Sequence, residues 1–233
     1  MKPEFSKFEK NIGIIFKNKE LLRQAFTHRS YLNEHRDSEF VHNERLEFLG
    51  DAVLELIVTE YLYNKYPDNT EGELTSYRSA LVNAVTLSDA AGKLEMNDFL
   101  LLSKGEAKDV GRARQIILAN TIEALIGAIF LDQGYETAKY FISNNIFNLI
   151  EKIVEEKTWL DAKSKFQEQA QDYEAITPQY KTLKEEGPDH DKQFTVGVFL
   201  DKIKVAEGTG KSKQEAEQVA ADNALKAKGW SMN

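Results

Sequence analysis

The period of the hydrophobic pattern changes once along this chain, and that change restricts the fold to two units of different class. From about residue 5 to about residue 150, apolar side chains recur at three and four positions, the spacing of amphipathic helices. The breaks in that stretch fall at Tyr66-Pro67-Asp68-Asn69 and between Gly105 and Gly111. Past about residue 160 the period drops to two: Phe194, Val196, Val198 and Leu200 alternate with Thr195, Gly197, Phe199 and Asp201, as expected of a half-buried strand. The expected architecture is an all-α domain over 5–134 whose helices extend to about 153, a linker over 154–160, and a small α+β domain over 161–230.

Local signals fill in both parts. Thr70 followed by Glu73 has the form of a capping box and predicts a helix through Leu81. Residues 151–160 read as a charged helical connector, with the boundary near Lys157. Beyond it a helix is expected over 162–174, a strand over 179–185, a turn at Asp201-Lys202 into a strand over 203–207, and a helix over 212–226. That last helix carries Ala216, Val219, Ala220 and Ala224, a small face that would let it lie close against a sheet. The order is therefore α-β-β-β-α.

With no cysteine, the chain can form neither disulfides nor thiolate metal sites, which fits a reducing cytoplasm. The N-terminus MKPEFSKFEK lacks the apolar core of a signal peptide. The longest apolar stretch, 116–131, contains Asn120, Thr121 and Glu123 and reads as too short and too polar to span a bilayer. The expectation is a cytoplasmic protein without a membrane partner. A net charge of −8 does not favour polyanionic partners, because phosphate contacts draw on Lys and Arg. Residues 161–230 hold 11 Lys and no Arg against 13 Asp plus Glu, a difference of −2 that leaves −6 for the rest. Any nucleic-acid contact must come from where the lysines sit.

The residues that invite chemistry are acids on apolar helices. In ERLEFLGD (44–51), inside a helical run over 43–64, Glu47 and Asp51 share a face one turn apart and Glu44 lies a turn before Glu47. Leu46, Phe48, Leu49, Val53, Leu54, Leu56 and Ile57 surround them, so this helix is expected to be largely buried. A second apolar run, ILANTIEALIGAIFL (117–131), carries Asn120 and Glu123 three positions apart. Packed together, the two helices would converge four oxygen side chains with Arg45 as the one cation within the first motif, and a hard divalent cation such as Mg²⁺ suits that set. The bland alternative is a solvated acidic stripe on an amphipathic helix. His28 reads as a hydrogen-bonded structural residue, His35 and His42 as loop residues, and Gly50 and Gly127 as points of close helix approach.

ERLEFLGD resembles the signature of the ribonuclease III family. LLRQAFTHRSYLNE (21–34), EGELTSYRSALVN (71–83) and ILANTIEALIGAIFLD (117–132) resemble the family's other blocks in order and spacing. The resemblance implies an endoribonuclease that cleaves double-stranded RNA with Mg²⁺, for which Mn²⁺ is a plausible substitute, and leaves 5′-phosphate and 3′-hydroxyl ends. Ribosomal, messenger, transfer and other structured RNA precursors would be its substrates. It implies that Glu47, Asn120 and Glu123 are metal ligands, that Asp51 and Glu123 are catalytic, and that Glu44 and Glu71 engage substrate. The family pattern often has Asp at the Asn120 position, which removes one negative charge here.

GPDHDKQF (187–194) and GTGKSKQEAEQVAADNAL (208–225) resemble blocks of the double-stranded RNA-binding domain. By that resemblance Gln167 and Glu168 would face one minor groove, and the loop containing His190 would enter the next. Lys211, Ser212 and Lys213 would meet phosphates at a helix N-terminus. Two strands and one acidic cluster per chain imply a homodimer, with Phe48, Leu49 and Leu54 to Ile57 as core or interface residues. Two other readings stay open: a duplex-RNA binder that no longer cuts, supported by Asn120, and a helical phosphohydrolase of small nucleotides.

Overall fold

The computed structural model describes residues 3–35, 40–155, 162–188 and 192–230. The chain forms two compact units, Met1–Trp159 and Leu160–Asn233. Lys157 and most of the predicted linker lie outside the described residues.

The first unit is helical, as its pattern requires. Its helices are α1 (Phe5–Ile12), α2 (Lys19–Ala25), α3 (Arg29–Glu34), α4 (Glu44–Lys65), α5 (Glu71–Val82), α6 (Ala84–Lys93), α7 (Arg112–Gln133), α8 (Tyr135–Asn145) and α9 (Ile150–Glu155). The predicted capping box opens α5: Glu73 N–H donates to Thr70 Oγ1 at 3.3 Å, and Thr70 N–H donates to the Glu73 carboxylate at 2.8 Å. The break between Gly105 and Gly111 contains a short 3₁₀ turn, Glu106–Lys108.

α7 is the central rod. Ile117, Ala119, Ile122 and every residue from Ala124 to Ile129 are buried. Each fully buried Leu or Ile contributes roughly 1.5–3 kcal/mol, so α7 and the side chains around it dominate the unit's stability. By length and mean hydropathy alone the whole of α7 is long and apolar enough to cross a bilayer, but 61% of its most apolar window is buried, as in the core helix of a folded domain.

α4 packs on α7 more extensively than any other pair in the unit. Its buried stripe is Leu46, Gly50, Val53, Leu54, Ile57, Val58 and Leu62. The opposite face is not buried, which corrects the expectation for this helix. Phe48 is 82% exposed and Leu56 59%, and Tyr63 lies open further along. Leu54 and Ile57 thus belong to the core, and Phe48 and Leu56 do not. The physical reason is that α4 meets the core along one side only, and among the described residues of this unit the other side stays open.

The second unit contains α10 (Ala162–Glu174), β1 (Gln179–Glu186), β2 (Gln193–Leu200), β3 (Ile203–Gly210) and α11 (Lys213–Lys228), with an antiparallel sheet in the order β1-β2-β3. The β2–β3 connection turns at Asp201, which takes a left-handed φ of 53°. α11 lies directly on β3: a Cβ on Gly208 would overlap the backbone at Ala216 and Ala220, so the small face predicted for this helix is needed for the fit. Val219 is not on that face. It is 38% exposed, and Ala221 takes the buried place, because the stripe through Ala216, Ala220 and Ala224 leans toward the following residue.

Candidate metal centre and nucleic-acid interface

The acidic residues of α4 and α7 meet because two glycines allow the helices to touch. A Cβ on Gly50 would overlap the carbonyl of Glu123, and one on Gly127 would overlap the carbonyl of Leu46. Backbone contact at this crossing brings Glu47 and Asp51 from α4 within electrostatic reach of Glu123 from α7. Asn120 lies near enough to the Glu47 carboxylate to favour its charged form, so the four predicted oxygen donors flank one helix crossing.

The electrostatics of that place are unfavourable without a counter-ion. Burial, then the charges of Asp51 and Glu47, push the Glu123 carboxyl up to about 8. Burial also raises Glu47, and Glu44 and Asp51 raise it further against the opposing effect of Asn120. The donor set is three carboxylates and one amide oxygen, with no imidazole or thiolate, and a hard divalent cation fits it. Among the described residues no three His, Cys, Asp or Glu side chains stand close enough for a ready-made cage. The cluster is a charged cradle rather than a closed structural site.

Glu44 is set apart from this cradle by partners of its own. Arg29 on α3 reaches its carboxylate at 3.3 Å and His42 lies 3.7 Å from it. Arg45 remains the one cation within the motif, and Arg29 adds a second from the block that precedes it. Glu71 stands in the first turn of α5, where it accepts from Thr75 Oγ1 at 3.1 Å. There it lines a groove of about 440 Å³ with Thr59, Tyr63 and Arg78, at the other end of α4 from Glu47. Within one chain the structure does not bring Glu71 to the acidic cradle.

A bolt of hydrogen bonds that the motif reading missed fixes the entry to α4. Asn43, 3% exposed, donates from Nδ2 to Ala25 O at 3.2 Å and from its N–H to Thr27 O at 2.9 Å. The same α2–α3 connection grips the segment leading toward α7: Leu101 N–H donates to Phe26 O, His28 N–H to Leu101 O, and Ser103 N–H to Ser30 Oγ. His28 is the N-cap of α3, accepting from Ser30 N–H at 3.3 Å. Burial holds its imidazole below the usual value, opposed chiefly by Glu106, which keeps it a neutral acceptor at pH 7. In the sequence Asn43 reads as an ordinary helix-start residue directly before Glu44, so the bolt leaves no local signal.

In the second unit Gln167 and Glu168 point outward from α10. His190 lies outside the described residues. At the start of α11, Ser212 is the N-cap and accepts from Glu215 N–H at 3.1 Å. The Glu215 carboxylate reaches back to accept from Lys211 N–H at 2.7 Å. Lys213 Nζ pairs with Glu185 of β1 at 2.7 Å. Lys211, Ser212 and Lys213 are thus neighbours on one exposed edge, and acids of the same unit already engage it.

Comparison with known proteins matches residues 18–150 to the Ribonuclease-III-like family and residues 162–228 to the Double-stranded RNA binding motif. The chain is 46% identical over 222 residues to the Ribonuclease 3 of Bacillus cereus (strain G9842), covering 95% of this chain and 90% of that one. The Ribonuclease 3 of Bacillus anthracis (strain CDC 684 / NRRL 3495) is 46% identical with the same coverage. Among solved structures, the nuclease domain of ribonuclease III from Campylobacter jejuni, described with a flexible region involved in dimer formation, is 42% identical with a TM-score of 0.56. It covers 64% of this chain and 97% of that one.

Proposed function

The chain belongs to the ribonuclease III family, and from that premise we propose that it hydrolyses the phosphodiester backbone of double-stranded RNA with Mg²⁺, or Mn²⁺ in its place. The observation that carries this reading is the convergence of Glu47, Asp51, Asn120 and Glu123 at the Gly50–Gly127 crossing, with Glu123 pushed up to about 8. Glu47, Asn120 and Glu123 would hold the cation, which on binding supplies an activated water and offsets the charge that develops on the phosphate. Asp51, exposed at the rim, is free to orient the attacking water or the leaving oxygen. Attack by water with departure of the 3′ oxygen leaves 5′-phosphate and 3′-hydroxyl ends. Ribosomal, messenger and other structured precursors are the substrates this reading implies.

The duplex would be held by the second unit through Gln167, Glu168, the His190 loop and the Lys211–Lys213 edge, with Glu44 and Glu71 contacting substrate on the first. A homodimer supports cleavage of both strands, since each chain carries one acidic cradle. The apolar stripe of Phe48 and Leu56, exposed among the described residues, favours it. A solution mass of about twice the 26.5 kDa chain is the expected result, and a monomeric mass at micromolar concentration counts against the dimer.

The direct test incubates the full chain with a long RNA duplex and Mg²⁺ beside Glu123→Ala. Cleavage in the wild type, lost in the variant while duplex binding persists, is the expected outcome. Binding without cleavage by the wild type would mean a binder that no longer cuts. A second variant addresses the missing charge: Asn120→Asp adds a carboxylate to the cradle and lowers the Mg²⁺ concentration needed for half-maximal cleavage, by about tenfold if the gain is near 1.4 kcal/mol. An unchanged Mg²⁺ requirement would show that Asn120 does not set cation affinity.

A further inference from the structure

The lysines placed to meet RNA are not bare. Glu185, near the end of β1, sits opposite Phe194 of β2 in the sheet register. One of its oxygens pairs with Lys213 Nζ at 2.7 Å, and the other faces Lys192 Nζ at 3.6 Å. Both ammonium groups lie over the Phe194 ring, 5.6 Å and 5.9 Å from its centroid. The ring thus carries two cations from separate segments, one from the β1–β2 side and one from the first turn of α11, with the Glu185 carboxylate between them. Lys213 holds that carboxyl below its usual range, with Lys192 assisting, so it is ionised wherever RNA is bound. Of the described side chains at this edge, Lys192, Lys211 and Lys213 against Glu185 and Glu215 sum to one positive charge.

We propose that Glu185 is an internal counter-ion which a backbone phosphate of the duplex must displace, so that this one carboxylate sets the affinity and salt sensitivity of RNA binding. The inference rests on the duplex-RNA contact proposed above and adds to it which acid opposes that contact. Carboxylate and phosphate oxygens compete for the same ammonium group, and a phosphate brought up to Lys213 is repelled by the Glu185 carboxylate already paired with it. The pair is exposed, with side-chain accessibilities of 54% for Lys213 and 36% for Glu185, so exchange is open to an incoming strand. Exposed pairs contribute little to folding. Removing the acid therefore changes binding far more than stability. A lysine edge relieved of its carboxylate neutralises about one more phosphate, and the slope of log K against log salt steepens by about one.

The test measures binding of the full chain to duplex RNA by fluorescence anisotropy, without divalent cations so that nothing is cut, across a salt series. The proteins are wild type, Glu185→Gln, Lys213→Ala, the double variant, and Glu186→Gln, whose carboxylate pairs with Lys184 instead. Glu185→Gln is expected to bind about three- to tenfold tighter at low salt, the size of one unscreened repulsion at 5–7 Å. Its salt slope is expected to steepen, and the gain to shrink when Lys213 is also Ala. Glu186→Gln, an equal change of net charge, gains distinctly less. The proposal is overturned if Glu185→Gln binds no tighter than wild type, or if Glu186→Gln gains as much. Wild-type binding that Lys213→Ala weakens and Glu185→Gln leaves alone removes this proposal only. Absence of duplex binding by both wild type and Glu185→Gln removes the underlying duplex reading with it.

Discussion

In metal-free buffer the melting temperature of the nuclease unit falls as pH rises from about 5 to about 8.5, and Glu123→Gln removes most of that fall. The sign follows from the direction of the shift. In the folded chain Glu123 keeps its proton up to about 8, whereas the ordinary carboxyl value is 4.5. Between these values the native state holds more protons than the unfolded state, so stability decreases with pH and levels off once the native carboxyl has ionised. The full shift, discounted because the side chain retains some solvent contact, corresponds to a loss on the order of 2 kcal/mol. For a unit of this size that is about 4–8 °C. Mg²⁺ at about a hundred times its dissociation constant restores about 2.7 kcal/mol to the wild type at the alkaline end and much less to Glu123→Gln. The same substitution lowers duplex cleavage by at least about a hundredfold while leaving anisotropy-measured duplex binding in place. A flat pH profile in the wild type, or equal Mg²⁺ stabilisation of both proteins, would show that Glu123 is not the strained member of the cradle.

How much of this was legible in the sequence depends on whether a signal was local. Thr70 and Glu73 announce their own helix because the hydrogen bonds of a capping box span three residues. The alternation from Phe194 to Leu200 announces β2 for the same reason, since one buried face demands one register. The acids of α4 and the pair Asn120 and Glu123 were visible as polar interruptions of apolar helices, and the glycines that let them meet were visible as well. The exposure of Phe48 and Leu56 was not: apolar composition reports that a surface must be covered, without telling a core from a subunit contact. The partners of Glu44 and of Lys213 were equally hidden. Arg29 and Glu185 are far from them in sequence and arrive only through the α2–α3 connection and the β1–β2 pairing. Lys211 and Lys213 looked like bare cations at a helix start because the acids that engage them come from the next turn and from another strand.

Gly50→Ala is expected to be the most damaging single methyl group that can be added to the nuclease unit. An ordinary helix interior gains from this change, because Ala loses less conformational freedom than Gly, by about 0.5–1 kcal/mol. At Gly50 the new Cβ would overlap the carbonyl of Glu123 and approach the backbone nitrogen of Gly127 at 2.9 Å. Backbone atoms in the middle of two buried helices cannot rotate away as a flexible side chain can, so α4 and α7 must separate. Overpacking of this kind costs roughly 3 kcal/mol, the upper end of its usual range. That corresponds to a fall of about 6–12 °C in melting temperature. The functional consequence exceeds the loss of stability, because the separation acts at the point where Glu47 and Asp51 face Asn120 and Glu123. Cation-dependent stabilisation should weaken, and duplex cleavage should fall even at a temperature where the variant is fully folded. Gly92→Ala on α6, where an added Cβ meets nothing within 4 Å, is the matched control and should be neutral or slightly stabilising. If Gly50→Ala melts and cleaves like the control, close contact between α4 and α7 is not what assembles the acidic cradle. Loss of Mg²⁺ response in Gly50→Ala alone, with both variants folded by circular dichroism, would tie the chemistry to a buried glycine at the helix crossing.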